Sequence, residues 1–251
     1  MQSALSWYKT FKECLEEIGF TINPYDPCVA NKMVNNEQCT ICWYVDNTKI
    51  SHKDSKVVDW VLNELEIRFG KMTVCRGKKH TFVGIDIEFN GNGTVSLSMD
   101  KYIQEYIGNY DGELKLLAAT PAKGTLFDED SEAGAEPLSE SEAERYHHTT
   151  AKLLYASKRA RLDIDLAISF LCTKVTKPSK GDLEKLKRVL EYLKGTKSMK
   201  RTMGMNDIGY LQTWIDASYA THRDMRGHTG GVIKHGKGYC DTHLYQTKDK
   251  H

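Results

Sequence analysis

The chain has 251 residues, of which 40% are hydrophobic and 27% are charged, and its formal net charge at pH 7 is +1. This composition is that of a folded globular protein, and the length allows one large domain or two smaller ones. A net charge so close to zero excludes nucleic-acid binding by overall charge alone. Any such function must depend on local clusters of Lys and Arg.

No apolar run approaches the length of a membrane span, and no basic and apolar leader opens the chain, so we expect no membrane partner. The seven cysteines are scattered singly, without the spacing of a disulfide framework. This pattern predicts reduced thiols and an intracellular protein, cytoplasmic or nuclear. Nothing in the sequence specifies an oligomeric state.

Apolar residues recur three or four positions apart between Gln2 and Ile18, which predicts an amphipathic helix that ends at Gly19. After a proline-containing turn, residues 28–33 and 39–45 are predicted to pair as two strands across Asn35-Asn36.

The second of these strands leads into Asp46, and a turn is predicted through Asn47 and Thr48. Residues with high strand propensity on both sides of an Asp-Asn pair predict a β-hairpin with a carboxylate near its tip. A carboxylate on a rigid hairpin suits a divalent cation. The alternative is that Asp46 and Asn47 only form the turn, where both residue types are favoured.

Cys39 and Cys42 have a spacing found in zinc sites, but no second Cys pair or nearby His pair completes four ligands. Residues three apart on a strand also point to opposite faces of the sheet. We therefore interpret both as ordinary strand cysteines.

Asp54 or Ser55 is predicted to cap a helix that ends at Gly70. A basic turn at residues 76–80 then precedes two predicted strands, 81–89 and 94–98, and Ser98 is predicted to cap a short helix. From residue 126 to residue 144 the composition shifts to Asp, Glu, Ser, Ala and Gly, which predicts a mobile acidic linker. Because acid repels phosphate, we expect this linker to lie away from any nucleic-acid surface.

Two helices are predicted next, from about Glu142 to Lys158 and from an N-cap at Asp163 onwards. A third helix after Gly181 has leucines at the spacing of a helical bundle, and many of its other positions are Lys or Arg. Such a charge run usually forms a solvated face. Its concentration over this helical module also suits contact with a phosphate backbone.

The last stretch predicts a three-stranded meander, with strands at residues 210–216, 228–234 and 238–245. The first of these strands ends on Asp216. That residue has two alternative roles, a metal-binding carboxylate or the cap of a turn at the strand end.

Short motifs follow one another along nearly the whole chain. In order, they are Trp7-Tyr8, Gly19-Phe20, Asp26-Pro27-Cys28, Tyr44-Val45-Asp46-Asn47, His80–Ile87, Lys152–Tyr155, Arg161–Ile164, Tyr192–Thr196 and Asp216–Tyr219. The box at residues 44–47 resembles the Tyr-x-Asp-Asp box of reverse transcriptases, and the ordered series resembles the polymerase of Ty1/copia-type retrotransposons.

The resemblance implies an α+β fold in four parts. Residues 1–125 would form a partial reverse-transcriptase palm, an antiparallel sheet with helices, which includes a hairpin that grips the primer strand. Residues 126–144 would be the acidic linker, residues 145–205 a helical thumb-like module, and residues 206–251 a truncated ribonuclease H-like β meander.

The same resemblance implies an RNA-directed DNA polymerase that uses Mg²⁺ or Mn²⁺ and binds an RNA/DNA template–primer duplex and a dNTP. Asp46 and Asp216 would be catalytic metal ligands of two separate active sites that lie far apart, and Gln2 would contact the nucleotide. Nucleic acid would be bound by Arg76, Lys78, Lys79, Lys158, Arg159 and Arg161. The alternatives are a frayed terminal glutamine for Gln2 and a solvated basic loop for residues 76–80.

Polymerisation with two metal ions needs several converging carboxylates. Asn47 replaces the second Asp of the box, and the family's other carboxylates would lie before Met1 and after His251. We therefore expect a catalytically incomplete fragment of a retrotransposon polyprotein. The alternatives are a non-catalytic nucleic-acid-binding remnant and a relic without a retained function.

Overall fold

The computed structural model describes residues 2–108, 110, 113–114, 117–128, 135–204, 211–219, 227–236 and 239–246. The chain divides into two compact units, residues 1–77 and residues 78–251. The described residues form a mixture of helices and antiparallel sheets, so the predicted α+β class is confirmed. The assignment of these elements to a palm, a thumb and a ribonuclease H-like domain stays a prediction.

The first unit contains two helices and a four-stranded antiparallel sheet whose strands lie in chain order. The helices are α1 (Gln2–Glu17) and α2 (Ser55–Phe69). The strands are β1 (Thr21–Ile22), β2 (Val29–Val34), β3 (Glu37–Tyr44) and β4 (Asn47–Ser51).

The core of the first unit forms where the two helices pack on one face of this sheet. Alternate residues of β3 are buried, namely Cys39, Ile41 and Trp43, as expected for a strand with one covered face. Apolar residues on the inner faces of the helices complete the cluster, among them Phe11 and Leu65. Each such large side chain contributes about 1.5–3 kcal/mol through burial.

Local signals fix the boundaries in this unit as predicted. Asn35 and Asn36 have φ of 54° and 62°, which gives the two-residue turn that pairs β2 with β3. Asp54 caps α2, because its side chain accepts a hydrogen bond of 2.9 Å from the Lys56 amide. Gly70, with φ of 82°, ends the helix.

The second unit contains the remaining helices and two further antiparallel sheets. The helices are α3 (Asp100–Gly108), α4 (Glu140–Arg159), α5 (Asp165–Cys172) and α6 (Lys180–Gly195), with a 3₁₀ turn at Leu162–Ile164. One sheet has the strands β5 (Lys79–Phe82), β6 (Ile85–Phe89), β7 (Thr94–Ser98) and β8 (Arg201–Gly204) in chain order. The other has β9 (Leu211–Ser218), β10 (His228–His235) and β11 (Tyr239–Gln246), with β10 in the centre.

The main core of the second unit lies between its helices, where residues such as Ile103, Leu153, Leu171 and Leu190 are buried together. The predicted three-stranded meander at the end of the chain is confirmed. In the described part of the chain, β9 has a neighbouring strand on one side only, and its Leu211 and Ile215 side chains are exposed.

The strand predicted over residues 81–89 is wrong, because the chain reverses at Val83-Gly84. These two residues have φ of 50° and 73°, and the pairing of Phe82 with Ile85 makes β5 and β6 a tight hairpin. Glycine adopts this conformation readily, but valine is β-branched and favours strands. The sequence therefore indicated a continuous strand at this point. The helix predicted to be capped by Ser98 begins at Asp100.

The helical module predicted up to residue 205 ends instead in the strand β8, which pairs with β7 from the predicted palm. The acidic stretch of residues 126–144 was predicted to be a mobile linker, but both of its ends are structured. Leu126 is buried, and α4 already begins at Glu140. Its residues 129–134 lie outside the described residues. The predicted division into four parts, with its three boundaries, stays a prediction.

In the part of the chain described above, no helix combines the length and the apolar character that a bilayer crossing requires.

Replacement of Ser179 by Ala tests the start of α6. Ser179 and Asp182 form a reciprocal capping box, in which the Asp182 amide donates to Ser179 Oγ over 3.1 Å and the Ser179 amide donates to Asp182 Oδ2 over 3.0 Å. We expect S179A to lower the free energy of unfolding by about 1 kcal/mol. Chemical denaturation followed by circular dichroism measures this, and S198A, at an exposed serine after α6, serves as the control with little change.

Candidate functional site

The Asp46 carboxylate lies at the tip of a β-hairpin, as predicted. Tyr44 pairs with Asn47, so the connection between β3 and β4 is the two-residue turn Val45-Asp46. The predicted turn through Asn47 and Thr48 is therefore wrong in position, because Asn47 is already the first residue of β4. The tip is open to solvent, since Asp46 and Asn47 are exposed and Tyr44 and Val45 are 60% and 56% exposed.

A side chain from outside the hairpin is hydrogen-bonded to this turn. The indole Nε1 of Trp7, on α1, donates a hydrogen bond of 2.6 Å to the carbonyl oxygen of Val45. The bond connects residues 38 positions apart and fixes the turn to the helix that covers the sheet. The turn therefore has a rigid support on its inner side and solvent on the other.

The oxygen ligands at this tip are of the type that Mg²⁺ and Mn²⁺ prefer, but they are too few. Asp46 offers one carboxylate and Asn47 one amide oxygen, which together carry a single negative charge. Over the described ranges, no group of three or more His, Cys, Asp or Glu residues is arranged to hold a metal ion. The residues present thus fit part of a metal site and not a complete one.

Asp216 lies within β9, opposite Gly230 and two residues before the strand ends at Ser218. The predicted position at the strand end is therefore wrong. Its carboxylate is exposed, and its Oδ1 accepts a hydrogen bond of 2.9 Å from the Ala217 amide. Asp46 and Asp216 belong to different units, so their predicted separation stays a prediction. Gln2 is the first residue of α1, and its nucleotide contact also stays a prediction.

The residues of the predicted basic turn belong to both units. Arg76 forms an ion pair with Asp59 of α2 in the first unit. In the second unit, Lys78 is exposed, and Lys79, with 78% of its side chain exposed, lies 3.1 Å from Glu88 across the β5–β6 hairpin.

A further cation joins this hairpin, because Lys200 Nζ donates to Glu88 Oε2 over 2.7 Å. Hydrogen bonds from Lys200 and Lys79 hold the pKa of Glu88 below its ordinary value. The predicted site did not include Lys200. Lys200 and Glu88 are 112 residues apart in sequence, so no local pattern indicates their contact. A predicted strand at residues 201–204 would have been the signal, because that strand extends the sheet that contains Glu88.

Arg161 is fully buried and is not a nucleic-acid contact, which corrects the prediction. Its Nε and Nη2 donate to the Asp163 carboxylate over 2.9 Å and 2.7 Å. Its Nη1 and Nη2 donate to the carbonyl and the hydroxyl of Thr196 over 3.1 Å and 2.6 Å. A phosphate has no access to a guanidinium that is enclosed and bonded in this way. Asp163 correspondingly binds Arg161 instead of capping α5.

The two other cations at this junction are partly accessible. Lys158, with 30% of its side chain exposed, lies 2.8 Å from the buried carboxylate of Asp165. Arg159 is exposed and lies over the Tyr155 ring, 5.2 Å from its centroid. Lys158 therefore has a structural partner, whereas Arg159 faces solvent. Their predicted nucleic-acid contacts stay predictions.

Several basic side chains of α6 bind the chain that precedes α4. Lys194 donates to the Leu114 carbonyl over 3.2 Å, Arg188 to the Thr120 hydroxyl over 3.0 Å, and Lys180 to Glu136 over 2.7 Å. The described parts of residues 114–136 therefore run antiparallel to α6. Within the acidic stretch, Glu136 is thus bound by a basic side chain of α6. The expectation that this stretch lies away from any nucleic-acid surface stays a prediction.

Comparison with known proteins gives a consistent set of relatives. The chain is 25% identical over 238 residues to a putative transposon Ty5-1 protein of Saccharomyces cerevisiae, covering 92% of this chain and 73% of that protein. It is 24% identical over 236 residues to the retrovirus-related Pol polyprotein from transposon TNT 1-94 of Nicotiana tabacum. It is 23% identical over 250 residues to the transposon Ty1-NL2 Gag-Pol polyprotein of S. cerevisiae.

Both polyprotein matches cover 92% of this chain, but the chain spans only 18% of the tobacco polyprotein and 14% of the yeast one. No family model matches the chain. No solved structure matches it either.

Truncation of Arg161 tests whether its buried contacts stabilise the second unit. We expect R161A to lower the free energy of unfolding by about 2–4 kcal/mol, because Asp163 and Thr196 lose their partner. This is less than the cost at a fully enclosed ion pair, since the Asp163 side chain is 27% exposed. R159A, at the exposed neighbour, is the matched control and should change stability by about 0.5 kcal/mol or less. Equal effects in urea denaturation would contradict the structural role of Arg161.

Proposed function

The chain is homologous to Ty1/copia-type retrotransposon polyproteins, and from this premise we propose that it provides part of an RNA-directed DNA polymerase. In this proposal, residues of the first unit contribute to the polymerase palm and the helices α4–α6 to a thumb-like module. The meander of β9, β10 and β11 contributes the first strands of a ribonuclease H-like domain. The partners are an RNA/DNA template–primer duplex and a dNTP.

The observation that carries the proposal is the hairpin of β3 and β4 with Asp46 at its tip. The box Tyr44-Val45-Asp46-Asn47 forms the tight turn at the end of this hairpin. One face of the sheet is covered by α1 and α2. This geometry supports a role in which an exposed carboxylate is presented by a rigid scaffold. A loop with the same four residues would not fix the carboxylate in the same way.

The proposal includes Mg²⁺ or Mn²⁺ as the cation of Asp46, and of Asp216 in the second site. Asp46 and Asn47 supply hard oxygen ligands with one negative charge, whereas a pair of catalytic cations requires several carboxylates. Further carboxylates from a longer polyprotein would have to join them. We therefore propose that the 251-residue chain by itself does not extend a primer.

The nucleic-acid surface in this proposal is the β5–β6 hairpin together with the start of β8. Lys78, Lys79 and Lys200 lie there with two carboxylates of β6, Asp86 and Glu88, so the cations outnumber the acids by one. The Lys79 and Lys200 side chains are 78% and 51% exposed. This local excess of positive charge supports contact with a phosphate backbone despite the nearly neutral chain. Arg159 is an additional exposed cation in the same unit.

A second candidate is a nucleic-acid-binding remnant without catalytic activity. It is favoured by Asn47, which replaces a carboxylate that the polymerase box carries. It is also favoured by the lack of a three-residue ligand group in the described part of the chain. Binding is common to both candidates, and nucleotide incorporation separates them.

Binding is tested with the 251-residue chain and a fluorescent RNA–DNA hybrid at several salt concentrations. We expect affinity to fall as salt rises, because each phosphate contact releases counterions. The double variant K78A/K79A should weaken binding and reduce the slope of log affinity against log salt by roughly 1–2. K9A/K12A removes the same charge from α1 and is the control. No binding at low salt would contradict both candidates.

Primer extension on an RNA template, with Mg²⁺ or Mn²⁺ and all four dNTPs, tests the catalytic part. We expect no incorporation by the 251-residue chain, because one carboxylate does not hold a catalytic metal pair. Incorporation that D46N abolishes would show that the proposed incompleteness is wrong. Binding without incorporation is the expected result.

A further inference from the structure

We propose that Trp7 is a positioning residue for Asp46, and that its indole N–H holds the Val45-Asp46 turn in its native shape. The functional meaning of this role rests on the function proposed above for Asp46. The structural part stands on the contacts of Trp7 alone.

The turn has an unfavourable backbone conformation that needs support. Val45 has φ of 54°, in the left-handed region that β-branched residues rarely adopt. Such conformations cost on the order of 1–3 kcal/mol and persist where the surrounding structure over-determines them. Packing supplies little of this support, because the Tyr44 and Val45 side chains are more than half exposed.

The hydrogen bond from Trp7 supplies the missing constraint. The indole Nε1 lies 2.6 Å from the carbonyl oxygen of Val45, the residue with the strained φ. A bond at this carbonyl fixes the orientation of the peptide group between Val45 and Asp46. The direction in which the Asp46 side chain leaves the turn is thereby fixed as well.

The indole is itself held rigidly in place. Its ring stacks on Phe11 with centroids 5.6 Å apart and meets the edge of Phe69 at 5.1 Å. Phe11 is 1% exposed and belongs to the core of the first unit. Trp7 thus connects the packed core to the exposed turn, because its ring packs on core residues and its N–H bonds to the Val45 carbonyl. For a reacting group, displacements of about 1 Å are enough to reduce catalysis strongly.

The W7F substitution tests the N–H donor of Trp7, and Y8F serves as its control. W7F keeps an aromatic ring beside Phe11 and Phe69 but removes the N–H. Y8F is the matched control, because Tyr8 lies next to Trp7 on α1 and its hydroxyl donates to a different backbone carbonyl, that of Pro27, over 3.2 Å. Hydrogen exchange of the backbone amides, followed by NMR on the full chain, reports on the turn directly.

We expect W7F to accelerate amide exchange at residues 46–48 about tenfold, as the loss of one hydrogen bond implies. Exchange around the Asn35-Asn36 turn should stay unchanged in W7F, and exchange at residues 46–48 should stay unchanged in Y8F. Equal acceleration at both turns in W7F would mean that Trp7 only stabilises the core, and the proposal would be wrong.

Replacement of Trp7 by benzothienylalanine gives a stricter test, because this isostere retains the bicyclic ring and lacks the N–H. Fast exchange at residues 46–48 with an unchanged melting temperature supports positioning by the hydrogen bond. Slow exchange, as in the natural chain, overturns it.

Paramagnetic Mn²⁺ separates this proposal from the proposed function. At millimolar Mn²⁺ we expect the amide signals of residues 45–47 to broaden in the natural chain, to broaden less in W7F and not to broaden in D46N. If D46N broadens like the natural chain, the metal role of Asp46 fails, and the exchange results still decide whether Trp7 positions the turn. The positioning role is refuted if the amide signals of residues 45–47 broaden in W7F as much as in the natural chain and amide exchange at residues 46–48 is also unchanged in W7F.

Discussion

The second unit depends on one buried guanidinium. Arg161 lies between the end of α4 and the 3₁₀ turn that follows it, and it joins this segment to Thr196 at the end of α6, 35 residues further along the chain. Burial of a charge is costly unless it is paired and hydrogen-bonded, and each of the three side-chain nitrogens of Arg161 donates to Asp163 or Thr196. Nearby, Arg201 at the start of β8 donates to the Arg159 carbonyl over 3.0 Å. The helices and the sheet of this unit therefore share one polar junction.

This arrangement changes how the basic residues relate to function. Arg161 holds the fold together, Lys158 balances Asp165, and several cations of α6 bind residues 114–136. Three further cations, Lys78, Lys79 and Lys200, lie on or beside the β5–β6 hairpin, where Lys79 and Lys200 pair with Glu88. Under the proposed function, the nearly neutral chain would bind a nucleic acid through a local surface of this kind.

The sequence predicts those features that depend on local chemistry. The alternation of β3, the apolar face of α2, the Asp54 cap and the Asn35-Asn36 turn follow from residue types at fixed spacings, and so does the hairpin that carries Asp46. The Val83-Gly84 turn was missed because valine favours strands. The β7–β8 pair, the burial of Arg161 and the bond from Trp7 to Val45 join residues far apart in sequence, and no local pattern encodes them.

The strand β9 has a practical consequence for anyone who purifies this protein. In the described structure, β10 flanks it on one side, and the exposed Leu211 and Ile215 lie along it. Apolar side chains that are exposed to this extent favour the association of one molecule with another. Concentrated stocks should therefore gain turbidity with time, at a rate set by protein concentration.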